Sequence, residues 1–380
     1  MTSSPASPAS GSGRPPGPRG AADDDSRTPL WWIYRGTGCP GPYFASLQER
    51  LPDPPPWRRF DGGPDQPDPP ADDNETARVL GSATEKATRP LTDHESHVVE
   101  AVNTALLLRR PLLVTGDPGV GKSALAYRVS RELKLGRVLR WSITSRSDLR
   151  SGLYEYDPIA RIHDISADAA STPAAGGPVD RPIGDYLRLG PLGTALLPHR
   201  LPRVLIIDEF DKSDVDLADD LLDVLENGSY RIPELTRLRS VQPEVTVPTD
   251  DPGRTATVHE GLVRCRQFPF IVITSNGERP FPPAFRRRCL PIRLERPTAE
   301  QLADMICAHF TDRDRSQDRD LVTEFLRRCD EVNGLSIDQL LNSVHLVSSD
   351  VRSHATSLGP NAWNRILDLV WQRLTEAGHE

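Results

Sequence analysis

The sequence predicts an α/β domain built on a parallel five-stranded sheet, followed by a small all-helical domain. Three observations support this prediction. Short apolar runs alternate with helical patterns between about residues 98 and 294, which is typical of a parallel sheet covered by helices on both faces. After Pro297 only helical patterns follow. The first 85 residues are rich in proline and polar residues, and such sequence buries too little apolar surface to fold by itself.

Each predicted element has its own signal. Strands are predicted where apolar residues run together between turn residues, at residues 111–115, 138–143, 203–207, 270–274 and 290–294. Helices are predicted where apolar residues recur every three or four positions, at residues 98–106, 123–135, 216–225, 299–310, 321–329, 337–347 and 362–374. The long stretch 230–267 is interpreted either as an insertion that faces a substrate or as a surface hairpin.

These signals divide the chain into four segments. We expect a disordered tail (1–29), an extension rich in proline and tryptophan (30–85), the α/β domain (86–296) and a helical lid domain (297–380).

Aromatic residues stand among the prolines of the extension, at positions 31–34, 43–44 and 57–60. Aromatic clusters are unusual in purely disordered sequence. They either strap the extension onto the body of the protein by burying their rings, or they dock a partner.

Composition excludes several classes of protein. A net charge of −8 argues against a general nucleic-acid binder, because such proteins carry a basic surplus. The five cysteines include no Cys-x-x-Cys pair, so neither a disulfide framework nor a zinc site is expected. No apolar run reaches the ~18 residues that a membrane span needs, and the N-terminus lacks the apolar core of a secretory signal. We therefore expect a soluble, cytoplasmic protein.

A glycine-rich loop follows the first predicted strand and fits the pattern G-x-x-x-x-G-K-[S/T]. Glycines let main-chain N–H groups curl around phosphates, and the next helix points its positive end at the same place. Lys122 is expected to reach the β- and γ-phosphates, and Ser123 to offer its hydroxyl to Mg²⁺. The predicted nucleotide-binding residues are Gly116, Asp117, Pro118, Gly119, Val120, Gly121, Lys122, Ser123 and Ala124.

Two carboxylates follow the strand at 203–207. In open α/β sheets, ligands bind at the carboxyl ends of the strands. Asp208 is predicted to hold Mg²⁺, directly or through water, and Glu209 to polarise the water that attacks the γ-phosphate.

Further candidate catalytic residues follow the strand at 270–274. Asn276 is placed to orient the water or to contact the γ-phosphate, although an Asn before Gly277 is also a common turn former. Of three consecutive arginines, we expect Arg287 and Arg288 to reach the nucleotide of a neighbouring subunit as finger residues, and Arg286 to lie on the surface.

The order of these elements resembles the AAA+ superfamily, and within it the MoxR-type ATPases, over residues 98–346. The most specific matches are Asp-Glu-Phe-Asp-Lys-Ser at 208–213 and Pro-Ala-Phe at 283–285 with Arg-Arg-Cys at 287–289. The resemblance implies ATP and Mg²⁺ as cofactors, ATP hydrolysis at the interfaces of a ring homo-oligomer, usually a hexamer, and work as a remodelling factor or chaperone. It also implies a protein substrate or a partner with a von Willebrand factor A domain. The Arg-Arg-Cys variant with a Trp-rich extension is similar to components of bacterial defence cassettes.

One departure and two alternatives accompany this resemblance. Lids of the superfamily often carry a second sensor arginine, but residues 334–340 include no Arg or Lys; Arg327, Arg328 or Arg352 are possible substitutes. A nucleic-acid-stimulated motor of the restriction type is one alternative function, and a nucleotide-gated scaffold without turnover is another.

Overall fold

The computed structural model describes residues 29, 31–40, 47–71, 73–83, 90–170, 181–310, 318–331, 335–349, 351–357 and 361–371. Contacts divide the chain into two units, Met1–Trp32 and Ile33–Glu380. In the first unit, the rings of Trp31 and Trp32 meet edge to face with centroids 6.4 Å apart. The predicted tail, residues 1–29, lies outside the described residues except for Pro29.

Strands and helices alternate through the middle of the second unit, and helices alone follow. Eleven strands occur in the described residues: β1 (Leu112–Thr115), β2 (Leu139–Ser142), β3 (Tyr154–Tyr156), β4 (Leu187–Leu189), β5 (Val204–Asp208), β6 (Ser229–Arg231), β7 (Glu244–Pro248), β8 (Thr255–His259), β9 (Leu262–Arg264), β10 (Phe270–Ser275) and β11 (Leu290–Arg293). Fifteen α-helices occur in the same residues: α1 (Leu47–Arg50), α2 (Asp73–Leu80), α3 (Asp93–Leu108), α4 (Ala124–Leu133), α5 (Leu149–Leu153), α6 (Pro158–Ala170), α7 (Pro191–Ala195), α8 (Val215–Asn227), α9 (Pro233–Thr236), α10 (Pro283–Arg288), α11 (Ala299–His309), α12 (Arg319–Glu331), α13 (Ile337–Ser348), α14 (Val351–Ser357) and α15 (Ala362–Val370).

The central sheet has five parallel strands in the order β11-β1-β10-β5-β2. Every residue of β5 and β10 is buried, because helices cover both faces of the sheet, and this is why their sequences are continuous apolar runs. The predicted parallel five-stranded sheet is thereby confirmed. Since β1, β10 and β5 are neighbours and parallel, the residues after their carboxyl ends lie together at one edge.

Two smaller antiparallel sheets were not predicted. One pairs β3 with β4, and the other has the order β6-β9-β8-β7. The four strands of the second sheet lie between residues 229 and 264, so the stretch 230–267 is more than a single hairpin, and its role towards a substrate stays a prediction. A buried ion pair holds it to the start of β5: Arg203 Nη1 and Nη2 lie 2.6 and 2.9 Å from the two carboxylate oxygens of Asp251.

Helices α11–α15 form the lid. Its core is a separate apolar cluster that includes Leu302, Phe325, Leu340 and Trp371. Capping boxes begin α11 at Thr298 and α13 at Ser336. The prediction of helices after residue 297 is confirmed, α14 is additional, and α15 ends at Val370; residues 372–374 of the last predicted helix lie outside the described residues.

Two of the aromatic segments of the extension are held against the domain. Ile33 and Tyr34 are buried, and their main chain bonds to Asn103 of α3. Farther along, the buried Arg58 guanidinium donates to carbonyls at the ends of two helices, that of Arg109 after α3 and that of Leu225 in α8. The strap interpretation fits these residues, whereas Trp57 is 77% exposed. Positions 43–44 lie outside the described residues.

Two expectations from composition concern disulfide bonds and membrane-spanning helices. The structure describes all five cysteines, and none forms a disulfide bond. Within the described ranges, none of the helices is both long and apolar enough to cross a membrane.

Candidate nucleotide-binding site

The glycine-rich loop runs from the end of β1 to the start of α4. Gly119 and Gly121 adopt φ values of 77° and 88°, a region that favours glycine because a side chain would clash with the main chain. The loop therefore has the curled backbone that phosphate binding requires. A Cβ on Gly119 would also lie 2.4 Å from Cβ of Ser336, at the start of α13, so the loop is packed directly against the lid.

Lys122 lies at the centre of the site and is 9% exposed. Its Nζ donates to the carbonyls of Gly116 and Asp117 at 2.8 and 2.9 Å and to Oδ1 of Asn276 at 2.7 Å. Burial lowers the pKa of Lys122, although the carboxylates of Asp211 and Asp208 act in the opposite direction. Lys122 and Asn276, which two separate motifs predicted for the site, thus lie in direct contact.

Asp208 ends β5 and is held by three side chains. Its Oδ1 accepts hydrogen bonds from Ser123 Oγ at 2.8 Å and Thr274 Oγ1 at 2.6 Å. Its Oδ2 lies 2.6 Å from a guanidinium nitrogen of Arg140. Burial opposes ionisation of Asp208, but the hydrogen bonds from Thr274 and Ser123 and the charge of Arg140 together keep its pKa below the usual value. The carboxylate is therefore ionised at neutral pH.

Glu209 occupies a left-handed backbone conformation, with φ of 59°. Such a conformation is unfavourable for a residue with a side chain, and it is often found at functional sites. The main-chain N–H of Glu209 donates to Thr274 Oγ1, which helps to hold this turn. The Glu209 carboxylate is half-exposed and lies 2.8 Å from Nζ of Lys212, where solvent can reach it.

Asn276 follows β10, one residue after its end. Its main-chain N–H donates to Oδ2 of Asp211 at 2.8 Å, and the N–H of Glu278 donates to the same oxygen at 3.2 Å. Asp211 is buried and so fixes the turn that presents the Asn276 amide to Lys122. The proposed turn-forming role and the proposed site role of Asn276 are therefore compatible.

A cavity of about 700 Å³ opens beside these groups. Its wall includes Lys122, Ser123, Asp208, Glu209 and Asn276, and it continues along α3, α4, the extension and the lid. This volume is in the range of sites for small organic ligands.

The loop contacts the first turn of α13 in the lid and also the segment that leads into the lid. The N–H of Ile337 donates to the carbonyl of Gly119 at 3.4 Å, and the Asp117 carboxylate pairs with Arg296, just before the lid, at 3.1 Å. Asp117 therefore contributes main-chain groups to the site, while its side chain is engaged elsewhere. Within the described residues, the part of the lid that lines the cavity includes no Lys or Arg.

The possible substitutes for a second sensor arginine have other partners. Arg327 pairs with Glu324, and Arg328 pairs with Glu324 and Asp368. Arg352 lies over the ring of Trp363. None of the three lines the cavity.

The predicted finger arginines lie on α10 and do not line the cavity of their own chain. Phe285 of α10 stacks on Phe210, two residues after Asp208, with centroids 5.1 Å apart, which fixes the helix beside the site. Arg286 and Arg287 are exposed, and Nε of Arg288 lies 3.1 Å from the Glu226 carboxylate. Their action on a neighbouring subunit stays a prediction.

A magnesium ion fits the donor set. Ser123 and Asp208 supply two hard oxygen ligands that already lie 2.8 Å apart, and the described residues contain no cluster of three or more His, Cys, Asp or Glu that could hold a metal by itself. Magnesium at nucleotide sites is bound in this manner, by one or two protein oxygens, phosphates and water.

Sequence reasoning missed three residues of the site: Thr274, Asp211 and Arg140. Thr274 was counted only as the end of a strand, and Asp211 as part of a family motif. Arg140 gave no signal, because its contact with Asp208 depends on β2 lying next to β5.

The loop, the lysine and the polar side chains after adjacent parallel strands define a P-loop nucleotide-binding domain. Residues 111–289 match the family model described as AAA domain, dynein-related subfamily, so this part of the chain is similar to the domains of that family. No curated protein sequence matches the chain. Among solved structures, the chain is similar to a lysine-to-arginine mutant of RuvB from Thermotoga maritima, with 13% sequence identity, a TM-score of 0.38, and coverage of 73% of this chain and 68% of that chain.

Proposed function

We propose that the protein is an ATPase that binds ATP with Mg²⁺ in the 700 Å³ cavity. One observation supports this most strongly. Lys122 contacts Asn276, and Ser123 contacts Asp208. These contacts bring together residues at the ends of three neighbouring strands, in one cluster that contains both a cation and a carboxylate. A cluster of this composition matches what a triphosphate and its metal require.

Each polar group then has a role. Lys122 and the loop amides hold the β- and γ-phosphates, and Ser123 and Asp208 hold the metal. Bound Mg²⁺ neutralises charge on the phosphate oxygens. Glu209 orients and polarises the attacking water, because it is an exposed carboxylate next to the metal ligand, and Asn276 contacts the γ-phosphate.

Assembly and substrate are proposed from the resemblance to MoxR-type ATPases. The protein forms a ring, most simply a hexamer, in which Arg287 or Arg288 of one subunit completes the site of the next. The ring remodels a protein substrate or a partner with a von Willebrand factor A domain, in the cytoplasm and in a bacterial defence cassette. The exposure of Arg287 at the end of α10 supports a role outside its own chain.

The Glu209→Gln variant tests the hydrolytic role. We expect ATP affinity within about twofold of wild type and turnover lower by about 10² or more, the usual contribution of a general base. Glu278→Gln is the matched control, because Glu278 is an exposed acid two residues after Asn276 whose side chain has no proposed role; its turnover should equal that of wild type. Wild-type turnover by Glu209→Gln would refute the assignment.

The same variant, held in ATP, identifies the partner. A pull-down that recovers a protein partner supports remodelling. ATPase activity that rises strongly with DNA or RNA and falls steeply with salt would replace this proposal with a nucleic-acid motor. Absence of turnover by the assembled wild-type oligomer would indicate a nucleotide-gated scaffold.

A further inference from the structure

The cavity extends well beyond the phosphate-binding loop. Away from Lys122 it is lined by two pieces of the extension, residues 36–39 and 78–82, and by Met305 and Ala308 of the lid. The residues of α4 that hold the first piece, Arg131 and Glu132, lie about 12 Å along the helix from Ser123 at 1.5 Å per residue. This part of the cavity is therefore separate from the groups proposed to hold the phosphates.

Two buried polar side chains hold the main chain within and just before the first piece. Oδ1 of Asn103 accepts hydrogen bonds from the N–H groups of Ile33 and Tyr34 at 2.7 and 2.9 Å, and its Nδ2 donates to the Tyr34 carbonyl. The Glu132 carboxylate accepts from the N–H groups of Arg35 and Gly38 at 2.6 and 2.8 Å.

Asn103 and Glu132 have no exposed surface. Burial raises the pKa of Glu132, and the hydrogen bonds from the extension act against that shift. Without the extension these groups would lose the hydrogen bonds that compensate for burial. The helices α3 and α4 are therefore built to carry this segment, which is an integral part of the domain and not a detachable arm.

Arg131 joins the two pieces of the extension to each other. Its Nε donates to the Gly38 carbonyl at 2.6 Å, and its Nη1 donates to the Gly81 carbonyl at 2.9 Å. Tyr127, one turn earlier on α4, donates to Glu75 of α2 at 2.8 Å. One face of α4 thus positions both pieces.

The second piece continues into the lid. The N–H of Ser82 donates to the carbonyl of Ala308 in α11 at 2.7 Å. Gly81 has φ of +71°, and a Cβ there would lie 2.4 Å from the same carbonyl. The main chains are therefore in direct contact, and the wall is continuous from α4 through the extension to the lid.

We propose that residues 36–39 and 78–82 form the wall of the subsite for the nucleoside, and that they couple its occupation to the position of the lid. The inference rests on the proposed function, since it assumes that a nucleotide fills the cavity. The wall has small residues at Gly36 and Gly38 and apolar side chains at Val79 and Met305, a combination suited to a flat, heteroaromatic base. Coupling is reciprocal. If the extension favours nucleotide binding, nucleotide binding must stabilise the extension in this position by the same free energy.

The test combines ADP binding by calorimetry with hydrogen exchange on the full chain. ADP should slow amide exchange in peptides covering 33–39 and 78–82 by about tenfold, together with the loop at 116–123. Arg131→Ala should weaken ADP binding about tenfold, since hydrogen bonds to two carbonyls are lost. Arg59→Ala is the control in the extension, because Arg59 is 61% exposed and pairs only loosely with Asp53, at 3.6 Å; its affinity for ADP should be that of wild type.

Two results separate the failure of this inference from that of the proposed function. Slower exchange in the loop alone, with wild-type affinity in Arg131→Ala, would overturn the subsite and leave the ATPase proposal intact. No calorimetric binding, and no change of exchange at any position, would overturn both. The exchange measurement uses the unaltered protein, so it decides the matter even if Arg131→Ala folds poorly.

Discussion

Replacing Arg140 by Gln should make the nucleotide site require less magnesium. The Arg140 guanidinium lies 2.6 Å from Oδ2 of Asp208, the carboxylate that is proposed to hold the metal. A cation in this position either has to leave when Mg²⁺ binds or stays and repels it. In both cases its removal favours the metal.

The magnitude follows from Coulomb's law and exposure. Two unit charges 4 Å apart interact by about 4 kcal/mol at an effective dielectric constant of 20 and by about 1 kcal/mol in bulk water. Arg140 is 46% exposed and Asp208 9%, so screening places the pair near the lower figure, at about 1–2 kcal/mol. We therefore expect the Mg²⁺ concentration that gives half of the full nucleotide affinity to fall by about 5- to 30-fold.

The assay is calorimetric titration of ADP at a series of Mg²⁺ concentrations, which requires no turnover. Arg150→Gln is the matched control, since Arg150 is similarly exposed and pairs with Glu234 at 2.8 Å, with no part in the proposed metal site. The difference in magnesium requirement between Arg140→Gln and wild type should shrink as the salt concentration is raised, because salt screens the partly exposed Arg140–Asp208 pair. An unchanged or increased magnesium requirement in Arg140→Gln would refute the reasoning.

Three further variants test the packing around the site. Gly119→Ala should weaken ADP binding about tenfold, because the new Cβ meets Ser336 at 2.4 Å and the residue must keep φ of 77°; wild-type affinity by calorimetry would contradict this. Arg203→Met should lower the free energy of unfolding in urea by about 3 kcal/mol, because it leaves the buried Asp251 with the longer ion pair to Arg137, at 3.5 Å. Adding Asp251→Leu should recover part of the loss; a cost below about 1 kcal/mol would show that the pair is dispensable. Burial lowers the pKa of His199 to about 4, so the fold favours the neutral ring, and stability that is complete above pH 6.5 is lost as the pH falls towards 4. From these values the wild-type free energy of unfolding should drop by about 2 kcal/mol more between pH 7.5 and 5 than that of His199→Gln, and parallel urea curves for the two proteins would contradict the assignment.

The parts of the fold that the sequence predicted are those with a local signal. Strands β1, β5 and β10 were located to within a residue or two because burial on both faces requires an unbroken apolar run. Strands β3, β4 and β9 have three residues each, too few to establish an alternating pattern. Helix α6 was missed because Ile159 and Ile162 are exposed, so its apolar residues do not mark a buried face.

The residues of the candidate site show the same division between those with a local sequence signal and those without one. Lys122, Ser123, Asp208 and Asn276 were predicted from motifs in which each residue sits at a fixed distance from a strand end. Arg140 could not be predicted in this way, because its partner is 68 residues away and the contact exists only when β2 pairs with β5. The proposed roles of residues 36–39 could not be predicted either, because main-chain groups make the contacts there and every residue type carries the same main chain.

The extension contacts elements at both ends of the proposed catalytic machinery. At 36–39 it lines the cavity, and at Arg58 it binds the carbonyls of Leu225 and Glu226 at the end of α8. The side chain of Glu226 in turn pairs with Arg288 on α10. If Arg288 acts on the next subunit of a ring, the extension is fixed both to the nucleotide pocket of its own chain and to the helix end that positions the arginine for the neighbour. A change of the extension on nucleotide binding would then reach the adjacent site through a path of direct contacts, which is one physical basis for coupling between subunits.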